Sequence, residues 1–198
     1  HDNQIFFVGN TMIDSIINFK KYFNCDELLA KHKIIKNKYA LVTIHRPSNV
    51  DTLENLKSLL DALCRISEKI LVIWPIHPRT KKMLLKFKLQ LSDNILIIPP
   101  QGYLSFMSLQ QQSKFIITDS GGVQEESTFF GVPCFTIREN TERPITEKKG
   151  SNTLVGTNFN NLPDIVFNKL KEDSIFSVPD LWDGNASERI VEVIDSFS

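Results

Sequence analysis

Residues 115–133, FIITDSGGVQEESTFFGVP, run from β-branched and aromatic positions into a glycine pair and then into two adjacent carboxylates. Gly121 and Gly122 carry no Cβ, so a bulky anion can come close to the main chain there. A helix that starts at these glycines points its free N–H groups and the positive end of its dipole at such an anion. Ser120 adds a hydroxyl donor. Glu126 lies four positions past Gly122 and so on the same helix face, whereas Glu125 is rotated away by about 100°. A phosphate at the helix start would bring an attached ribose within reach of Glu126, whose carboxylate can accept from both vicinal hydroxyls. The pattern fits a nucleotide diphosphate. It also fits a plain strand-to-helix turn with acids near a helix N-terminus, so the other strand ends must decide.

Those ends are rich in polar residues. In an open parallel sheet, ligands bind outside the carboxyl ends of the strands. His45, Arg46 and Ser48 follow the first expected strand, and His77 the second. Gln101, Gly102 and Tyr103 follow the third, and Asp119, Ser120, Gly121 and Gly122 the fourth. Arg138, Glu139, Asn140, Thr141, Glu142 and Arg143 follow the fifth. Five strand ends that deliver such residues to one edge describe a site. An imidazole at His45 can hydrogen-bond a phosphate or shuttle a proton near neutrality, although a histidine at a strand end also serves as a structural group. Arg143 can fork onto phosphate oxygens or pair at the surface with Glu139 or Glu142. Phe106 and Tyr103 offer an aromatic face to a base, or fill the core at helical spacing. His1 and His32 read as surface residues. No GxGxxG follows a strand and no GxxxxGK[ST] loop occurs, which excludes the usual dinucleotide fingerprint and the P-loop.

The elements that carry these residues alternate. YALVTIH, KILVIWPIH, NILIIPP, KFIITD, PCFTI and a short NTLVG read as strands. Helical patterns lie between them: Leu53, Leu56, Leu60, Leu63 and Ile66; a basic helix opened by Pro78; and segments at 103–112, 122–130, 162–171 and 186–197. Strands alternating with helices imply crossovers and a parallel sheet covered on both faces. The expected fold is a doubly wound, Rossmann-like α/β domain over residues 39–198. Residues 1–38 differ: a short strand IFFV, then a helix over MIDSIINFKKYF, then a Lys-rich KHKIIKNK that reads as a solvated connection. They are expected to form an interdomain strand, helix and linker.

Composition narrows the field further. The 198 residues contain 41% hydrophobic and 23% charged positions, and 23 Lys plus Arg balance 23 Asp plus Glu. With no net charge, the chain has no general pull toward nucleic acid or an anionic membrane, so anion binding must be local. Cys25, Cys64 and Cys134 form no CxxC or Cys/His cluster, which argues for buried thiols in a reducing compartment, without a disulfide framework or metal site. No motif calls for an organic cofactor. The apolar runs are too short to span a bilayer and no signal peptide opens the chain. It begins at His1 amid apolar residues, as expected of a fragment.

Read in order, VGNTMIDS, TIHRPSNVD, WPIHPRT, PPQGYLSFMSLQ, TDSGGVQEE, GVPCFTIRENTERP, NTLVGTN and DGNASERI resemble the C-terminal half of bacterial non-hydrolysing UDP-N-acetylglucosamine 2-epimerases. The resemblance implies a glycosyltransferase-B-like protein of two Rossmann-like halves, this chain being the half that grips UDP. It implies that Ser120, Gly121 and Gly122 hold phosphate, that Glu126 holds the ribose, and that Gln101 and Phe106 lie by the uracil, with Arg143 a further candidate phosphate ligand from its own chemistry. It implies a catalytic role for His45, and a second, regulatory UDP-N-acetylglucosamine contact at Arg46 and His77. Many members read H-R-R-E-N where this chain has His45-Arg46-Pro47-Ser48-Asn49, a departure that bears on regulation or on the sugar accepted. Epimerases of UDP-diacetamido-glucuronic acid share most of these blocks, and a glycosyltransferase donor domain shares the fold. The resemblance further implies acid/base carboxylates in a missing N-terminal half, a homodimer at full length, a cytoplasmic setting, and a fragment that binds UDP weakly without epimerising.

Overall fold

The structure, a computed structural model, describes residues 4–172 and 176–197. Among them, six short strands form one fully parallel sheet: β1 (Tyr39–Thr43), β2 (Leu71–Pro75), β3 (Ile95–Ile98), β4 (Phe115–Thr118), β5 (Cys134–Thr136) and β6 (Asn152–Leu154). Their spatial order is β3-β2-β1-β4-β5-β6. The chain therefore winds outward from β1 in one direction, returns to the middle, and winds outward from β4 in the other. β1 and β4 are the central pair, in register from Ala40 opposite Phe115 to Thr43 opposite Thr118.

Strand residues alternate between the two faces, as period-2 geometry requires. Ala40, Val42, Val72, Trp74, Phe115, Ile117 and Phe135 pack into one buried cluster, covered by α4 (Leu53–Ser67), α5 (Pro78–Phe87) and α9 (Leu162–Lys169). Tyr39, Leu41, Ile73, Ile116 and Cys134 face the opposite cluster, where α2 (Asp26–Lys31), α6 (Tyr103–Gln111) and α7 (Gly121–Phe130) lie. Because both faces are covered, the strands read as continuous apolar runs instead of alternating ones. In α4, Leu56, Leu60, Leu63 and Ile66 are buried as their spacing predicts, while Leu53 at the first turn is exposed. The Thr52 side chain caps that helix by accepting from the Asn55 amide at 3.2 Å.

The first residues depart from expectation in one respect. Ile5 to Val8 form no strand. A strand needs a neighbour to take its amide hydrogen bonds. This segment runs beside α10 (Ala186–Asp195), where Arg189 Nη1 donates to the Val8 carbonyl at 3.2 Å. The helix that follows, α1 (Thr11–Phe19), packs on the domain through Ile13 and Ile16, both fully buried with Met107 and Trp182. Asp14 reaches across to accept from the amides of Ala186 and Ser187 at 3.1 and 2.7 Å and from the Ser187 hydroxyl at 2.7 Å, so it caps α10 from another helix. Residues 31–38 are exposed except Ile34 and include two left-handed residues, Lys33 and Asn37. Two further short helices, α3 (Pro47–Val50) and α8 (Pro144–Lys148), follow β1 and β5. No helix of the described residues is long and apolar enough to cross a membrane.

Candidate functional site

The reversal of winding between β1 and β4 creates a crevice at their carboxyl ends, the place where open α/β sheets take ligands. Asp119, the residue after β4, is fully buried there. Its Oδ2 accepts from the His45 and Arg46 amides at 2.9 and 2.7 Å and from Asn49 Nδ2 at 3.0 Å. Its Oδ1 lies 3.1 Å from His45 Nδ1. The Arg46 Nε donates to the Asp119 carbonyl at 2.9 Å. One carboxylate thus splices the β1 and β4 turns. Burial works to raise its pKa, but the close contact with His45 and the bonds from the Arg46 amide and Asn49 outweigh it and hold the acid below the usual carboxylate range. The same contact with Asp119 raises the pKa of His45, against burial and the nearby charges of Arg46 and Arg79.

His77, two residues past β2, lies against His45 with ring centroids 5.1 Å apart and the rings tilted by 34°. Its Nδ1 accepts from the Arg79 amide at 3.1 Å, capping α5. The Arg79 guanidinium forks onto Asp51 at 2.8 and 2.6 Å. The three residues expected at this edge, His45, Arg46 and His77, are therefore brought together.

Next to them α7 begins without a side-chain cap. The first amides of a helix have no intrahelical acceptor, so this terminus keeps its donors for a ligand. The Ser120 amide is turned back onto Thr118 Oγ1 at 3.0 Å. A Cβ on Gly121 would meet nothing within 4 Å, whereas one on Gly122 would lie 3.1 Å from the Met12 methyl and 3.8 Å from Glu126 Oε1. The approach is open over Gly121 and partly roofed by α1 over Gly122.

Glu126 stands one turn further in and is 8% exposed. Its Oε2 accepts from Gln110 Nε2 at 2.6 Å. Burial raises its pKa, the neighbouring Glu125 adds to the rise, and Gln110 opposes it. Among the described residues, Gln110 Oε1, Glu125 Oε2 and Asp119 Oδ1 are buried without a hydrogen-bond partner, the last having only its ion-pair contact with His45. Orphaned polar atoms of this kind are costly in a finished core.

Arg143 pairs differently from either surface partner the sequence suggested. Its Nε lies 3.1 Å from Glu125 Oε1, an oxygen that also accepts from Asn10 Nδ2 at 2.9 Å. Glu142 is taken by Arg138 at 2.5 and 2.6 Å. Glu139 accepts from the Thr157 amide and hydroxyl at 3.0 and 2.5 Å. The reason is position: Arg143 sits at the entrance to α8, which packs on α7, so its neighbour is a carboxylate of that helix.

Gln101 bonds the Pro99 carbonyl at 2.7 Å and lines a cavity of about 500 Å³ together with Asn24, Leu28, Lys31 and Ser105. Ser120, Gly121 and Glu126 are not among its lining residues. Phe106 is half-buried and packs on two apolar clusters. Tyr103 is 44% exposed, with its ring edge-on to Phe23, so the core placement suggested by helical spacing does not hold for it. His32 is exposed, and His1 lies outside the described residues.

Asp119 was visible in the sequence as a strand-end acid without an assigned role; its place between a strand and the glycine pair was the available cue. Nothing local could reveal Gln110, Asn10 or Met12, which reach the site from other helices or from more than a hundred residues away.

The profile of the UDP-N-acetylglucosamine 2-epimerase family matches residues 1–195. The UDP-N-acetylglucosamine 2-epimerase of Methanococcus maripaludis is 43% identical over 202 residues, covering 98% of this chain and 55% of that protein. The crystal structure of the Methanocaldococcus jannaschii UDP-GlcNAc 2-epimerase in complex with UDP-GlcNAc and UDP shares 40% identity and a TM-score of 0.86, over 99% of this chain and 56% of that one. A UDP-2,3-diacetamido-2,3-dideoxy-D-glucuronate 2-epimerase of Pseudomonas aeruginosa is 38% identical over 150 residues, 75% of this chain and 41% of that protein. The chain spans about half the length of the curated relatives it matches.

Proposed function

Because the chain belongs to the UDP-N-acetylglucosamine 2-epimerase family, we propose that it is the nucleotide-gripping half of a UDP-sugar 2-epimerase that interconverts UDP-N-acetylglucosamine and UDP-N-acetylmannosamine. The observation that carries the reading is the convergence at the central crevice. His45 and Arg46 are tied by Asp119 to the uncapped start of α7, and Glu126 stands one turn inside that helix.

In this reading the diphosphate rests on the amides of Gly121 and Gly122 and on Ser120, with Arg46, His45 and Arg143 as nearby positive or donating groups. Glu126 takes the ribose hydroxyls, and Gln101 and Phe106 flank the base. A base removes the C2 proton of the sugar while the C1–O bond breaks and its electron pair leaves on the UDP oxygen. The resulting glycal takes a proton on the opposite face of C2 as UDP adds back to C1. Charge develops on the leaving diphosphate, and preorganised amides and cations stabilise charge most where water is excluded. Holding UDP between the two steps is this half's task. The acid/base carboxylates belong to a preceding half, and this chain alone binds UDP without epimerising it. The full-length protein is a cytoplasmic homodimer in this account. His77 and Arg46 form the contact for a second, activating UDP-sugar.

The test is an incubation of the full-length protein with UDP-N-acetylglucosamine in deuterated water. Deuterium at C2 of the recovered UDP-sugar supports the epimerase. Its absence, with an acceptor glycosylated instead, would identify a transferase. The likeness to the diacetamido-glucuronate enzyme makes that UDP-sugar the second substrate to run, and faster exchange on it would reassign the sugar while keeping the chemistry.

A further inference from the structure

We infer that Asp119 is a positioning residue that holds His45 as an imidazolium with Nε2 left for the ligand, so that the β1 turn presents a fixed cation to the nucleotide's diphosphate. This deepens, and rests on, the nucleotide reading above.

The division of labour within one carboxylate is the starting point. Oδ2 is filled by three donors, the amides of His45 and Arg46 and the side chain of Asn49. Oδ1 faces His45 Nδ1 at 3.1 Å. The amide bonds fix the carboxylate relative to the very residue whose ring it touches, so the ring has little freedom to leave it. With Nδ1 against the acid, Nε2 is the ring nitrogen open to other partners, and the side chain is 39% exposed while Asp119 is fully buried. A buried carboxylate that stays ionised favours a charged neighbour.

The charges around His45 make Asp119 decisive. Arg46 adjoins it in the chain, and Arg79 and His77 face it from the start of α5. Arg79 is largely offset by Asp51 through two short bonds. Arg46 and Arg79 both push the ring toward neutrality, while the close contact and charge of Asp119 push the other way and prevail. Without Asp119, the named groups facing the ring are cationic or another imidazole.

A merely structural Asp119 would splice the two turns and nothing more. Asp119→Asn separates the roles, because the amide oxygen still accepts from the main chain while the charge is gone. The measurement is the NMR titration of the His45 ring in this chain without ligand, followed by UDP binding across pH. The wild-type midpoint is expected above the ordinary histidine value of about 6.5 and should fall by about one pH unit or more in Asp119→Asn. UDP affinity should weaken as pH rises through the wild-type midpoint, and in the variant that weakening should move to lower pH. A wild-type midpoint at or below the ordinary value overturns the inference with no variant needed. So does a folded Asp119→Asn whose midpoint is unchanged. A midpoint that falls while UDP affinity stays independent of pH overturns the grip on the diphosphate. A wild-type chain indifferent to UDP at every pH overturns that grip together with the nucleotide reading, and the ligand-free titration keeps the two failures apart.

Discussion

Gln110 Nε2 donates to Glu126 Oε2 across 2.6 Å, tying the last turn of α6 to the second turn of α7, where the reading proposed above puts the ribose. A buried acid held by a neutral amide is an uncomfortable arrangement in the ligand-free fold, and burial pushes its pKa up accordingly. Among the described residues, Gln110 Oε1 and Glu125 Oε2 close by are also buried without a hydrogen-bond partner. Sites built to bind tend to carry such costs.

The first prediction follows from that acid. Its folded pKa is raised, so the native state holds the Glu126 proton to higher pH than the unfolded chain does. Stability is therefore lost as pH rises from the ordinary carboxylate range through the raised value. Glu126→Gln removes the charge and keeps an acceptor for Gln110. Its Tm should exceed that of the wild type at pH 7.5, and the difference should vanish at about pH 4. Its UDP affinity should drop by about tenfold or more, as expected when a charged hydrogen-bond acceptor is lost. Thermal melts at the two pH values and a UDP titration check both halves.

Gly121 offers a cleaner separation of fold and function. A Cβ there meets nothing within 4 Å, and alanine is the better helix former by up to about 1 kcal/mol. Gly121→Ala should thus melt at or above the wild-type temperature. In the proposed reading the added methyl occupies the space through which phosphate approaches the amides, so UDP should bind about tenfold more weakly.

Asp14 tests how firmly the first helix belongs to the domain. Burial alone would raise its pKa, but the bonds from Ser187 and Ala186 win and lower it. The stability it contributes is present above the ordinary carboxylate pKa and is lost as pH falls through the lowered one. Asp14→Ala should destabilise the chain by about 1–3 kcal/mol at neutral pH, as for a lost cap with several hydrogen bonds. The gap to wild type in denaturant melts should narrow as pH falls below the ordinary carboxylate range and through the lowered value.

The glycine pair predicts its own tolerance of salt. If the diphosphate is held by amides, a helix terminus and a few cations, UDP affinity should fall with ionic strength, while uridine, which lacks the phosphates, should bind at least about tenfold more weakly at any salt. Equal affinity for the two would leave the start of α7 without a part in binding.

Much of this was legible in one dimension, for identifiable reasons. The strands announced themselves because both sheet faces are covered, which gives runs such as Ala40-Leu41-Val42 and Ile116-Ile117. The site edge was legible because a parallel sheet sends every strand end the same way, so His45, His77, Asp119 and Ser120 had to share an edge. Partnerships were not legible. Arg143, read as a phosphate ligand or as a surface partner of Glu139 or Glu142, has Glu125 as its ion-pair partner, because α8 lies on α7. Ile5 to Val8 have strand composition but α10 for a neighbour. Met12 roofs Gly122 from a helix that no local pattern places there.

The most direct measurement is isothermal calorimetry of UDP with this chain, wild type against Glu126→Ala. We expect one UDP per chain, with affinity reduced about tenfold or more by the substitution, while circular dichroism confirms that the variant is folded. A folded Glu126→Ala that binds UDP as the wild type does would contradict the account.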